Sequence, residues 1–428
     1  MAGREHVTTD ALLVAVDVAK DWNVVLVEAP DGARRGFRVA NRRADHDQFI
    51  AYLRSAGRPV RVALEPTGDF HRSLAYRLLR EGFEVVGISS VAQARFREAR
   101  YGTWDKNDPK DAQVILAMLK QGLTQTYCDP LLEGHHDLQE LAGTYFQVTL
   151  ARTRVQHALL LHYLPLYFPE IRKFWNATRA EWFIAFLLRF PTPASIRRHA
   201  QEAFIRDAFP LLSSKADKRR QLEEIYEIAG SSIALPVDPE APCVNCFRLQ
   251  LSRYLQLTRL RAEIDQTAQA LLAGRPDFER LRSLPGIGPV LALTILAEAG
   301  DLRRFRHHRQ FLKYCGFDLA KSQSGQRRGH EVLSKRGNRR LRMAFWMAGV
   351  VAVRQRENTF RDKYERYIRS NPNDPDLKRK ALTAVAAKMA RVAYALIKTE
   401  ASYRRFRDEE LPSGSIPLAR AVEAKSTS

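Results

Sequence analysis

Ala11-Leu12-Leu13-Val14-Ala15-Val16-Asp17-Val18 is an apolar run of strand length that carries a single carboxylate near its end. Such a run reads as a buried strand, in which a lone Asp is out of place unless it has a chemical task. A second strand spans Asn23 to Ala29. Pro30-Asp31-Gly32 then supplies turn chemistry before a third strand, Gly36 to Ala40, so three antiparallel strands follow one another. After a helix from Ala44 to Ser55, Val60-Arg61-Val62-Ala63-Leu64 forms a fourth strand, stopped by Glu65-Pro66-Thr67-Gly68. A helix over 70–81, a strand over Glu84 to Ile88, a helix over Ala92 to Arg97 and a helix over Pro109 to Lys120 complete the order β-β-β-α-β-α-β-α-α.

That order fits an α/β domain of the ribonuclease H-like fold, in which the first and fourth strands are neighbours. Asp17 and Glu65 then project side by side from strand ends. The last helix opens with Trp104-Asp105-Lys106-Asn107-Asp108-Pro109-Lys110-Asp111-Ala112. Asp108 and Asp111, three residues apart, lie roughly 5–6 Å from each other on a helix. Taken alone, Asp108 is a good N-cap before Pro109, and Asp111 a first-turn acid favoured by the helix dipole. Taken with Asp17 and Glu65, four carboxylates converge, as phosphoryl transfer by Mg²⁺ requires. Hard cations take oxygen ligands, and a pair about 3.5–4 Å apart clamps attacking and leaving oxygens. Asp105 offers a rival pair with Asp108.

The 428 residues carry 69 Lys and Arg against 48 Asp and Glu, a net charge of +21 and a pI near 10.0. This balance predicts attraction to polyanions and makes nucleic acid the leading partner. No membrane span is expected. The apolar run Met343 to Val353 is too short to cross a bilayer and reads as a buried helix between Arg342 and Arg354. The N-terminus lacks the apolar region of a secretory signal, so a cytoplasmic protein is expected. Four cysteines do not make a disulfide framework, and Cys243 with Cys246 lacks the second pair of a zinc site.

Beyond Thr124 the pattern is helical. A long helix over Asp137 to His162 reads as a bundle helix or a coiled-coil arm, and a second, Arg248 to Leu272, pairs with it. Leu235 to Cys243, with Pro236, Pro239 and Pro242, reads as a loop. Leu284-Pro285-Gly286-Ile287-Gly288 looks like a helix-hairpin-helix turn, whose backbone N–H groups can meet a phosphate, or a plain turn between helices. Residues 301–345 hold thirteen Lys and Arg against three acids, nearly half the excess of the chain. Within that segment Ser322-Gln323-Ser324-Gly325-Gln326 and Ser334-Lys335-Arg336-Gly337-Asn338 read as hydroxyl-bearing turns among cations. A serine there is a surface turn residue or a nucleophile toward DNA phosphate, its charge development met by guanidinium groups. Arg327, Arg328, Lys335, Arg336, Arg339 and Arg340 are the nucleic-acid-binding candidates. A final helix covers Lys378 to Lys398, and the tail from Pro412 is expected to be disordered.

These motifs resemble the IS110 insertion-sequence transposases, the DEDD recombinases that include the pilin-gene invertase. Val16-Asp17-Val18-Ala19-Lys20, Leu64-Glu65-Pro66-Thr67-Gly68 and Lys106 to Ala112 match the N-terminal pattern. Leu284 to Gly288, Ser324-Gly325 and Ser334 to Asn338, followed by Leu341-Arg342, match the C-terminal one. The resemblance implies a RuvC-like ribonuclease H domain over 1–125, a helical arm that dimerises over 126–275 and a helical transposase domain over 276–410, with a tail over 411–428. It implies that Asp17, Glu65, Asp108 and Asp111 bind Mg²⁺, and that Ser324 attacks DNA to give a phosphoserine link, with Ser322 and Ser334 as close rivals. It also implies a structured bridge RNA that pairs with donor and target DNA, a dimer or tetramer, and action in the bacterial cytoplasm on the nucleoid. A RuvC-like nuclease or junction resolvase, and a non-catalytic nucleic-acid-binding protein, are the alternatives.

Overall fold

The computed structural model describes residues 10–101, 108–175, 180–212, 218–320, 323–324, 327–328 and 332–404; of residues 101, 108, 109, 180, 320, 323, 324, 327 and 328 it describes the backbone alone. Asp105, Ser322 and the tail over 411–428 lie outside the described residues. Two units divide the chain, the first ending at His136 and the second beginning at Asp137.

In the first unit the apolar runs form β1 (Leu12–Asp17), β2 (Trp22–Glu28), β3 (Arg34–Ala40), β4 (Val60–Leu64) and β5 (Glu84–Gly87). The helices between and after them are α1 (Arg43–Ser55), α2 (Arg72–Arg80), α3 (Ser90–Tyr101) and α4 (Asp108–Lys120). The expected order of nine elements is present, and a two-residue edge strand, β6 (Gln125–Thr126), is added to it. The sheet runs β3-β2-β1-β4-β5-β6, with β1 parallel to β4 and β4 parallel to β5, and the other pairs antiparallel. Side chains of a strand alternate between faces. Leu12, Val14 and Val16 accordingly join one core with Leu53 of α1 and Leu74 and Leu78 of α2. Leu13 and Ala15 join the opposite core with Val114, Ile115 and Leu119 of α4.

The second unit starts on the helix expected over 137–162, which runs as α5 (His136–Ala158), a π-turn over Leu159–Tyr163 and α6 (Leu164–Tyr167). Short helices α7 (Ala180–Arg189), α8 (Pro193–Arg197), α9 (Gln201–Ala208) and α10 (Lys218–Gly230) lead to α11 (Pro242–Leu272). The loop expected over Leu235 to Cys243 is therefore shorter. Pro242 opens α11, at a position where the missing N–H has no helical partner to lose. α5 and α11 both run through two cores. Val155 and Leu251 join an aromatic cluster with Phe183, Phe186 and Phe204, while Leu138 and Leu272 join a second cluster with Phe311 and Phe345. Reciprocal pairs tie the two helices together. Arg261 Nε donates to the Tyr145 hydroxyl and Arg152 to the Tyr254 hydroxyl, each at 2.6 Å.

The rest of the unit comprises α12 (Pro276–Arg282), α13 (Pro289–Ala299), α14 (His308–Tyr314), α15 (Arg339–Ala352), α16 (Thr359–Ile368) and α17 (Pro375–Lys398). The sequence expectation here is a helical domain, and the structure adds strands to it. Short strands β7 (Leu319–Ala320), β8 (Gln323–Ser324), β9 (Arg327–Arg328) and β10 (Val332–Leu333) pair as nested hairpins, β7 with β10 and β8 with β9. The run Met343 to Val353 is not a wholly buried helix either. Ala344, Phe345, Ala348 and Ala352 are buried, whereas Met343, Trp346, Met347 and Val351 are exposed along one stripe of α15. At the Gly286 turn, φ is +85°, and a Cβ would run into the Ala348 carbonyl. This glycine is explained by close approach of the turn to α15, without recourse to a phosphate.

Candidate functional site

Register places the first two acids. Val16 pairs with Leu64 in the parallel β1–β4 ladder, so Asp17 and Glu65, one residue further on, stand side by side where the two strands end. Alternation continues the Leu13 and Ala15 rhythm to Asp17, and the Ala63 rhythm to Glu65, which is the face α4 covers. Both carboxylates are half-buried. Asp111 lies in the first turn of α4 and is 1% exposed. Its Oδ1 sits 3.0 Å from Nε of Arg97, which reaches over from α3. Neither atom makes a directed hydrogen bond, although both are buried. The guanidinium thus balances the charge of Asp111 and leaves acceptor capacity on its oxygen. A carboxylate buried this deeply requires such a partner.

Of the four acids expected to converge, register sets two next to each other. Asp17 and Glu65 are brought together, and Asp111 is held on the helix covering their face of the sheet. The Asp108 side chain lies outside the described residues, although its backbone begins α4. Among the described residues no three His, Cys, Asp or Glu side chains group closely enough to hold an ion. The donor set nevertheless suits a hard cation, being all carboxylate oxygen with one buried oxygen lacking a directed bond. Arg97 is the residue that sequence reasoning missed. Its helix was expected to end there, whereas α3 continues to Tyr101. Beside the loops that leave β1 and β4 opens a cleft of about 660 Å³, lined in part by Lys20, Asn41, Phe70, Arg72 and Tyr76.

In the second unit the β8–β9 ladder sets Ser324 opposite Arg327 and Gln323 opposite Arg328. The expected serine turn is a hairpin strand, which holds the candidate nucleophile and a candidate cation in register. Lys335, Arg336 and Arg339 are exposed. Lys335 adopts a left-handed φ of 54°, and its carbonyl accepts from Arg342, which also donates to the Cys315 carbonyl. Asn338 caps α15 through Leu341 N and donates to Glu298 at 2.7 Å. Arg340 donates to the same Glu298 carboxylate at 2.9 Å and lies over the Phe146 ring. Arg303 is likewise engaged, donating to Asp277. Part of the basic run thus fastens the unit, and the exposed part faces solvent. The Ser334 hydroxyl accepts from Arg336 N within its own turn. Cys243 and Cys246 are exposed and free. No described helix is long and apolar enough to cross a membrane.

Two family models match this chain. A family model described as the Transposase IS116/IS110/IS902 family matches residues 278–365, and a model of DEDD transposases of the IS110 type matches residues 14–169. Together the two matches span more than half of the chain. The 44.8 kDa protein of insertion element IS116 from Streptomyces clavuligerus is 24% identical over 400 residues, covering 91% of this chain and 95% of that relative. The transposase for insertion sequence element IS1111A of Coxiella burnetii is 27% identical over 187 residues, 44% of this chain and 50% of the relative.

Proposed function

The chain belongs to the IS116/IS110/IS902 transposase family, and from that premise we propose that it cuts and rejoins DNA through an acidic centre and a serine nucleophile. The observation that carries the first half is the strand register, which sets Asp17 beside Glu65 on the face of the sheet that α4 covers. In this reading Asp17, Glu65, Asp108 and Asp111 hold Mg²⁺, which when bound supplies charge neutralisation at the phosphoryl oxygens. Asp17 and Glu65 are pre-positioned by the sheet, so little ordering is required of them on loading. Arg97 keeps the Asp111 carboxylate in place.

The second half of the reading rests on Ser324. Its oxygen attacks the DNA phosphorus, a phosphoserine bond forms, and one phosphate ester bond breaks as the sugar oxygen leaves with the proton. Arg327, across the ladder, and the exposed Lys335, Arg336 and Arg339 hold the DNA backbone and offset charge that develops there. A structured guide RNA pairing with donor and target DNA, and a homo-oligomer formed through the long helices, complete the proposal, with action on the nucleoid in the cytoplasm. Incubation with DNA of the element's ends followed by a denaturing gel tests it. Wild-type protein should remain covalently attached to DNA, and Ser324→Ala should not. Cleavage without any adduct would identify a water-using nuclease instead.

A further inference from the structure

A second group of cations, outside the basic run around the hairpins, gathers where α16 and α17 pack together. Lys363 and Arg366 lie three residues apart on α16, and Lys388 and Arg391 three apart on α17, so each pair shares one helix face. The two lysines are half-buried, whereas the two arginines are exposed. Lys388 Nζ donates to the Thr359 carbonyl at 3.2 Å and stands 5.8 Å from the Phe360 ring, so its ammonium is tied into the helix junction. Ordinary surface lysines carry their charge out to water.

Cations outnumber acids there, with Asp362 and Glu365 the acids of this stretch of α16. Burial, then Arg391 and Arg366, hold the Lys363 ammonium below the ordinary lysine range. Burial, then Lys363 and Arg366, do the same to Lys388, with Arg391 adding to the effect and Asp362 opposing it. From α14, His308 is lowered by burial, then by His307, Arg391 and Arg309. Glu365, the other acid of this stretch of α16, is bonded to Arg361 at 2.6 Å. Cations held together in this way repel one another and cost the folded chain stability, a cost that a bound polyanion removes.

We propose that the joined faces of α16 and α17 form a phosphodiester-backbone site, in which Lys363, Arg366, Lys388 and Arg391 hold the sugar–phosphate chain of a nucleic acid. Two helices contribute, so the charges are spread along a surface and suit a chain of phosphates better than a single anion. Phosphate contacts of this kind position a nucleic acid without reading its sequence. The site rests on the transposase reading only in taking the polyanion to be nucleic acid.

The test uses the full chain and two double variants, Lys363→Gln with Lys388→Gln and Arg366→Ala with Arg391→Ala. Binding to a random-sequence duplex DNA and to a random-sequence single-stranded RNA is followed by fluorescence anisotropy across a salt series, with thermal melting in parallel. Each double variant should lower the slope of log affinity against log salt by about 1.8 on duplex DNA, or about 1.4 on the single strand, at about 0.9 and 0.7 per phosphate contact. The lysine variant should melt no lower than wild type, because repulsion has been removed. Loss confined to DNA or to RNA assigns the backbone accordingly, and either supports the site. Unchanged slopes for both probes in the exposed arginine variant overturn it, as does a lowered melting temperature with unchanged slopes in the lysine variant. A wild-type chain that binds neither probe would instead remove the transposase reading.

Discussion

The sheet unit and the C-terminal helices handle charge in opposite ways. In the first, carboxylates gather at strand ends by backbone register, and the one that is deeply buried, Asp111, has a guanidinium 3.0 Å away. In the second, like charges gather at the α16–α17 junction, and the cost falls on the lysines. A parallel ladder is a precise way to hold two short side chains together, since neighbouring strands lie about 4.8 Å apart. A helix junction offers a broad face, suited to an extended ligand. In the proposed reading the acidic centre is a site for chemistry, and the basic surfaces are sites for holding.

Substitutions can break that contrast. The largest effect is expected from Asp17→Asn, which keeps the shape of β1 and removes a charge that the chemistry needs. Recombination of the element's ends should fall by about a thousandfold or more, while the melting temperature stays near wild type. Activity within about tenfold of wild type would make the strand-end acid structural. Next comes Arg97→Ala, which strands a buried carboxylate. Denaturant unfolding should show a loss of about 3–5 kcal/mol. Asp111→Asn should recover part of that loss when combined with it, and a strictly additive double variant would show that the pair is not coupled.

Gly286→Ala should cost about 1–3 kcal/mol, because a Cβ there meets the α15 backbone at a left-handed φ. An unchanged melting curve together with weakened DNA binding would restore the phosphate reading of that turn. The smallest effect is on pH. The folded-state affinities of Lys363 and Lys388 for protons lie below those of free lysine, so in the window between the two the unfolded chain binds more protons. Stability should therefore rise with pH as those lysines discharge, and level off above the ordinary lysine range. Denaturant midpoints at neutral and alkaline pH check this, and Lys363→Gln with Lys388→Gln should flatten the rise.

Legibility in the sequence followed the same contrast. The strand order and the places of Asp17 and Glu65 were readable, because a buried strand is a short unbroken apolar run and a carboxylate in or beside it is conspicuous. Arg97 was not, since an Arg on a short polar helix looks the same whether it faces solvent or a buried acid. The nested hairpins were read as turns. Their strands are two residues long, too short to show alternation, and Gly325, Ser322 and Ser324 give turn composition. Pro242 carried a helix-start signal that its neighbours Pro236 and Pro239 masked as loop. The α15 run was read as buried from its composition, although Met343, Trp346, Met347 and Val351 follow the helical period on the exposed side. Lys363 with Arg366 and Lys388 with Arg391 sit some 25 residues apart in pairs that look like solvated faces, and only helix packing joins them.

In the proposed reading, strand-end and helix carboxylates from one unit form a single divalent-cation site. Calorimetric titration of Mn²⁺ into the full chain measures it without reference to activity. Wild-type protein should bind the ion saturably, and Asp17→Asn, Glu65→Gln and Asp111→Asn should each weaken binding by at least about tenfold, with the thermal melt left in place by Asp17→Asn and Glu65→Gln. Binding that is undiminished in Asp17→Asn and Asp111→Asn alike would mean that these carboxylates do not form a shared cation site.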